Sequence, residues 1–364
     1  LQIMSAGASP STPPVRGSPE PSTRRDKDTI IQNLRLLDRG FEQGNAALAG
    51  DFENSEGVRM EHATIEIADA EKDLPVTIYE PRDNKSIIGT IVFMHGGGMA
   101  LESPSLPIYV RFAKELARLG VRAILPEYRK SAYGHPFPRG LEDCFGSAMW
   151  ASQHFNTPVV LAGASGGGNL ALATCLLAKE RGQLENIAGC FVLCPMINGK
   201  YPNPQYPSIE YFDNYLCRAE VMNDCAEIYT TNDKDAESPL AWPSKATTND
   251  LEGLPPMLIH VNELDLLYDE NVEFYRKLLS AGNQARMTIA GGTLHSTEMF
   301  SGLVEDNARA MRASMVDFVK MSTEDARSKK KASSVDEGGD GNVRRRMVVL
   351  TGFGATSVWP RPEK

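Results

Sequence analysis

Eight short β-branched runs alternate with segments of helical period, and few folds accept that rhythm. The runs lie at 64–67, 76–79, 87–94, 121–125, 159–161, 190–193, 257–261 and 287–289. Helical patterns separate the later ones, at 107–119, 141–155, 169–179, 271–279 and 304–321. In the first of these, Phe112, Leu116 and Leu119 recur at helical spacing, and Gly120 follows as a stop. Repeated strand and helix predict an α/β protein whose mostly parallel central sheet is covered by helices on both faces. The first two runs have no long helix between them, so they are expected to pair antiparallel at an edge.

One stretch interrupts the rhythm. Residues 200–245 are rich in Pro, Tyr and Asp, with Pro202, Pro204 and Pro207 near the start. An insertion at that point falls at the carboxyl ends of the strands, where ligands bind in such sheets, and is expected to form a helical lid. An amphipathic segment within 28–51 carries Ile30, Leu34, Leu37 and Phe41 on one face and is expected to pack against that lid. The resulting division is a tail over 1–25, an N-terminal lid segment over 26–60, a core over 61–199 and 246–321, the lid insertion over 200–245, and a flexible tail over 322–364. The last includes Lys329-Lys330-Lys331, Arg344-Arg345-Arg346 and a short apolar run at 347–350.

Composition narrows the partners. The formal net charge of -9 and the lack of a basic stripe in the globular part argue against nucleic acid. No run reaches the roughly 18 apolar residues that a membrane span needs. Six cysteines occur, none in a CxxC pair, and they do not cluster with histidines along the chain, so no metal site is expected. Cys190 and Cys194 fall four apart in a strand-like run, on one face but too distant to bridge. They read as small buried hydrophobes of a reducing, cytoplasmic compartment. The chain begins at Leu1 rather than Met, so a preceding leader is left open. Self-association as a homodimer is left open as well.

Two motifs carry chemistry. Gly163-Ala164-Ser165-Gly166-Gly167 fits G-x-S-x-G, directly after the run at 159–161 and directly before a helix. A serine nucleophile needs that sharp strand-to-helix turn, and a helix amino terminus brings positive potential to it. His95-Gly96-Gly97-Gly98 follows the run at 87–94 and fits a loop that supplies oxyanion-hole amides. Side chains there would block an acyl carbonyl. The amides of Gly97, Gly98 and Gly166 are the expected donors.

An acid and then a base must follow the serine. Of six histidines only His260 and His295 do so. His260 sits inside a strand run, whereas His295 lies in the polar loop Gly291-Gly292-Thr293-Leu294-His295-Ser296, and is the candidate base. Asp265 is the candidate acid, with Glu263 and Asp269 as rivals. Ser165 would attack the acyl carbon, His295 would move the proton, and Asp265 would hold the imidazole. No cofactor is needed.

Together these motifs resemble the hormone-sensitive-lipase family of carboxylesterases, the α/β-hydrolase-3 group. Glu127-Tyr128-Arg129, His135-Pro136-Phe137-Pro138 and Leu141-Glu142-Asp143 resemble the family's D-Y-R, H-P-F-P and L-E-D run. Ser238-Pro239-Leu240 resembles its S-P-L, and Leu264 through Glu270 its D-P-L-R-D-E, whose first Asp is the triad acid and matches Asp265. The resemblance implies an α/β-hydrolase fold, an ester substrate and no cofactor. Ala164 stands where the family has an acid, Leu266 where it has Pro, Ser296 where Gly is frequent, and Met99 where an aromatic follows the glycines. None of these is a triad position. Met99 and Met196 are expected to line a substrate pocket of altered shape. The leading expectation is a serine carboxylesterase for short- to medium-chain esters or lactones. A non-catalytic small-molecule receptor on this fold, and an acyltransferase or amidase using the same triad, are the alternatives.

Overall fold

The computed structural model describes residues 26–48, 53–67, 73–83, 87–300 and 302–336. The expected 1–25 tail, the Arg344–Arg346 run and the apolar run at 347–350 lie outside them. The chain divides into two compact units, 1–327 and 328–364.

Eight strands form one sheet in the order β1-β2-β4-β3-β5-β6-β7-β8. They are β1 (Val58–Ile65), β2 (Leu74–Pro81), β3 (Gly89–Met94), β4 (Val121–Pro126), β5 (Val159–Ala164), β6 (Ile187–Leu193), β7 (Met257–Asn262) and β8 (Ala285–Ala290). β1 pairs antiparallel with β2, and β2 with β4; every other neighbour is parallel. The expected antiparallel edge is present. β1 begins six residues before the run at 64–67, so the core starts at Val58 and not at residue 61. The reason is its exposure. Only Val58 and Ile65 at its ends are buried, and an edge strand with no buried alternation leaves no periodic trace.

The central strands are buried on both faces, and alternate residues feed two cores. Val92, Leu161, Val192 and Ile259 point into one, with α3 (Arg139–His154), α4 (Gly166–Glu180) and α9 (Tyr268–Ser280). Ile91, Phe93, Val160, Phe191 and Leu258 point into the other, with α2 (Pro107–Arg118) and α10 (Glu305–Asp336). That explains runs without polar alternation.

α10 corrects one expectation. It continues to Asp336 and buries Ser322 and Thr323, so 322–336 is not a flexible tail. The segment is charged but holds neither Gly nor Pro, and Glu, Ala and Lys propagate helix as readily as they stay solvated. All six cysteines are free. Cys194 does not share a face with Cys190: it follows β6 at φ 33, and that left-handed turn sends it into the opposite core.

Residues 200–245 hold three α-helices, α5 (Pro207–Tyr211), α6 (Ala219–Tyr229) and α7 (Asp233–Ala236), and α8 (Thr248–Leu251) follows before β7. α1 (Lys27–Leu48) packs against α6. Ile30 and Leu34 of α1 are buried, as the apolar stripe predicts.

Candidate active site

The parallel strands all end at one edge of the sheet. The loops after β3, β5, β6, β7 and β8 therefore emerge together, and the order reverses between β3 and β5. A crevice forms at such a reversal. His95, Ser165, Cys194, Asp265 and His295 follow those five strands in turn.

Ser165 is the one residue between β5 and α4, at φ 54 and ψ -120. Such a backbone costs on the order of 1–3 kcal/mol and persists only when its surroundings impose it. Here the Ser165 amide donates to the Leu193 carbonyl (2.9 Å), and α4 starts immediately. Close approach requires the glycines. A β-carbon on Gly167 would lie 2.1 Å from the Met94 carbonyl oxygen, and one on Gly166 would lie 2.6 Å from the amides of Gly98 and Met99. The elbow and the glycine loop thus meet backbone to backbone. Gly166→Ala should push them apart and lower kcat by about 10²–10³-fold with less change in KM, as loss of an oxyanion donor does; steady-state kinetics on the folded variant checks this.

The glycine loop turns through Gly97 (φ 86) and Gly98 (φ 59). Their amides donate to no described residue, and both line a cavity. His95 braces the loop from behind. It is buried and stacks on Tyr128 with centroids 4.1 Å apart. The Tyr128 hydroxyl reaches the carbonyls of His95 (2.9 Å) and Gly96 (3.1 Å). Burial, helped by the charge of Lys130, holds His95 well below the ordinary imidazole range, so it is neutral. Arg129 forms a two-pronged pair with buried Asp143 (2.9 and 2.7 Å). The Tyr-Arg and Leu-Glu-Asp motifs are therefore scaffolding for this loop.

His295 Nδ1 lies 2.7 Å from Asp265 Oδ2, and both residues are buried. Asp265 Oδ1 accepts the Leu267 amide (3.0 Å). The rivals are engaged elsewhere: Glu263 accepts the Gly292 amide and Asp269 the Ser208 amide, each at 2.7 Å. His260 is occupied too, by Thr288 Oγ1 (2.8 Å) and Glu298 Oε1 (3.0 Å). Glu298 and Thr293 also take both Asn262 amide protons, and Asn262 Oδ1 holds the Ser296 amide (3.0 Å). That buried network fixes the loop carrying His295.

Ser165, His295, Gly97, Gly98 and Met196 line one cavity of about 310 Å³. Ser165 and His295 share it without a direct hydrogen bond between their side chains. Catalytic contacts of that kind often close only around substrate. Met99 is not in the cavity wall. At φ 58 its side chain turns into the core and is 1 % exposed, which corrects its expected pocket role. Leu37 and Phe41 of α1 and Leu216, Val221 and Met222 of the 200–245 segment complete an apolar wall.

Two neighbours escaped the sequence reading. Cys194 Sγ lies 3.0 Å from Ser296 Oγ, and Cys194, Asp265 and His295 bring ligand-type atoms within 4.8 Å of one another. Two of those three are already joined by a hydrogen bond, which suits a charge pair with a thiol beside it better than a metal cage. Glu102 also lines the cavity. Position after a strand end was the only available signal for Cys194; Glu102 carried none.

A family model described as alpha/beta hydrolase fold matches residues 91–299. Brefeldin A esterase, described as a bacterial homologue of human hormone sensitive lipase, superposes with a TM-score of 0.76 at 30 % identity, covering 85 % of this chain and 89 % of that one. The sequence at 163–170 and 254–265 resembles the same esterase. Carboxylesterase NlhH of Mycobacterium tuberculosis is 25 % identical over 262 residues, 70 % of this chain and 80 % of that protein. Gibberellin receptor GID1A of Arabidopsis thaliana is 25 % identical over 230 residues, 60 % of this chain and 66 % of the receptor. With an eight-stranded sheet of this order and a family match across more than half its length, the chain belongs to the α/β-hydrolase fold family, in the branch resembling hormone-sensitive lipase.

Proposed function

We propose that the protein is a serine carboxylesterase that cleaves short- to medium-chain esters or lactones through an acyl-enzyme on Ser165. The observation that carries this is the convergence on one cavity of the strained Ser165, the His295–Asp265 pair and the unengaged amides of Gly97 and Gly98. Ser165 Oγ attacks the acyl carbon while His295 Nε2 takes its proton. Asp265 keeps the other ring nitrogen protonated and stabilises the imidazolium. The amides of Gly97, Gly98 and Gly166 receive the oxyanion. His295 returns the proton to the leaving alcohol, and water repeats the sequence on the acyl-enzyme. The segment 200–245 and α1 act as the lid over this cavity.

The cavity volume and its apolar wall support a modest acyl chain. Relatives that include a hormone receptor raise the receptor alternative, but this chain keeps serine, acid and base together. A series of 4-nitrophenyl esters of graded acyl length tests the reading. Turnover that falls off at long chains supports it; inertness of the folded protein toward every member contradicts it.

The pH profile is a further check. Burial, the largest single influence, would lower the pKa of His295, but the Asp265 carboxylate beside it, together with the neighbouring Cys194 and Cys217, holds it well above the ordinary range. The base must be neutral to work. The ascending limb of kcat/KM should therefore lie above the ordinary imidazole value of about 6.5.

A further inference from the structure

Two charged side chains of the cavity wall, Glu102 and Arg218, have no part in the chemistry above, and Glu102 is the one beside the glycine loop. Glu102 lines the cavity beside Gly96, Gly97 and His295. Its backbone sits at φ 68, a left-handed conformation rare for a residue with a β-carbon. Three contacts hold it there. Its amide donates to Asp38 Oδ1 of α1 (2.7 Å), its carbonyl accepts from Lys130 Nζ (2.7 Å), and Oε2 accepts from the Tyr109 hydroxyl. That hydroxyl in turn accepts the Gly96 amide (2.9 Å), which ties the carboxyl to the glycine loop. Oε1 has no hydrogen-bond partner among the described residues, and Glu102 is part of the cavity wall.

A carboxyl in this place is a liability for the hydrolysis itself. Negative charge beside an oxyanion hole opposes the charge that develops on the acyl oxygen. The strain at φ 68 and the three anchors nonetheless keep it aimed inward. A side chain so held, with one oxygen uncommitted, is built to meet something the ligand brings.

We propose that Glu102 forms a cation subsite, and that the enzyme prefers esters carrying a protonated amine. The inference rests on the esterase reading above. The surrounding charges are of both signs: Lys130 and His295 act on Glu102 as cations, and Asp38 acts against them. Asp38, buried behind Glu102, adds negative potential. Lys130 is paired with Glu127, and Arg218 at the cavity mouth is paired with Glu220 with its side chain 57 % exposed. Tyr109, Phe41 and Phe300 share the cavity wall, and aromatic rings attract cations. Burial raises the pKa of Glu102, and an ammonium within reach would reverse that penalty for both partners.

Two isosteric ester pairs test the proposal near neutral pH, where the amines are protonated. 2-(Dimethylamino)ethyl acetate is compared with 3-methylbutyl acetate, and methyl 4-(dimethylamino)butanoate with methyl 5-methylhexanoate. The first pair places the cation on the alcohol, the second on the acyl chain. In at least one pair kcat/KM should favour the cationic member by about tenfold to a hundredfold, the range of a charged hydrogen bond. Glu102→Gln should bring that ratio to about one or below. The ratio within a pair cancels any general loss of activity in the variant. Equal rates in both pairs, or a preference that survives Glu102→Gln, overturn the proposal. If no ester is hydrolysed, the esterase reading fails, and calorimetry of the same pairs on Ser165→Ala still decides the subsite: tighter binding of a cationic member supports it, equal binding overturns it. Should Glu102→Gln misfold, inhibition of neutral-ester hydrolysis by tetramethylammonium but not by tert-butanol supports the subsite in the wild type, and equal inhibition overturns it.

Discussion

Ser165→Ala should lower kcat by about 10⁴–10⁶-fold while the protein keeps its fold and its affinity for substrate. The change removes one oxygen from a residue whose backbone is held by the Leu193 carbonyl and by α4, not by its side chain. Alanine at φ 54 is strained no worse than serine. A residual rate above water should persist, because the change leaves the proposed oxyanion donors, the amides of Gly97, Gly98 and Gly166, in place. Adding His295→Ala to this variant should cost almost nothing more, since the two side chains act as one unit. Single-turnover and steady-state kinetics on the single and double variants check both statements. A double variant far below either single one would mean that His295 works independently of Ser165.

Asp265→Asn should lower kcat by about 10⁴-fold with little structural change. Asparagine fits the same space, and its amide oxygen can still accept the Leu267 amide. Its nitrogen, however, faces His295 Nδ1, where a carboxylate oxygen now accepts at 2.7 Å. Two donors cannot share that distance. The imidazole then places its proton on Nε2, the nitrogen that must be free to receive one from Ser165. A second signature follows from charge. Without the carboxylate, burial dominates at His295, so the ascending limb of the pH profile should move down in pH although the rate falls. A limb that stays in place would show that Asp265 does not set the pKa of the base.

Much of this arrangement could be read from the chain. The sheet was legible because its central strands are buried on both faces and appear as continuous apolar runs, among them 91–94 and 159–162. The Ser165 elbow and the His95–Gly98 loop were legible because each is contiguous and the chemistry demands its strand-to-turn context. His295 emerged by order and elimination, and Asp265 by its place between nucleophile and base and by the family resemblance of 264–270; the structure brings the two within hydrogen-bonding distance.

What escaped depends on backbone turns that residue type does not announce. Met99 (φ 58), Glu102 (φ 68) and Cys194 (φ 33) all take left-handed conformations without being glycine. Those turns send Met99 into the core, Glu102 into the cavity and Cys194 toward His295. The Asn262–Glu298–His260 network was invisible for another reason. Its members come from β7 and from the loop after β8, and only the parallel pairing of those strands brings them together. Residues 322–336 misled because charge density is common to solvated tails and to exposed helix faces.

The central claim is that Ser165 is a nucleophile activated in this cavity. A fluorophosphonate tests it without any assumption about substrate. Intact-mass spectrometry should show one adduct per chain, peptide mapping should place it on Ser165, and Ser165→Ala should take up none. Labelling should slow sharply in His295→Ala. A folded wild type that stays unlabelled, or an adduct on another residue that persists in Ser165→Ala, would contradict the account.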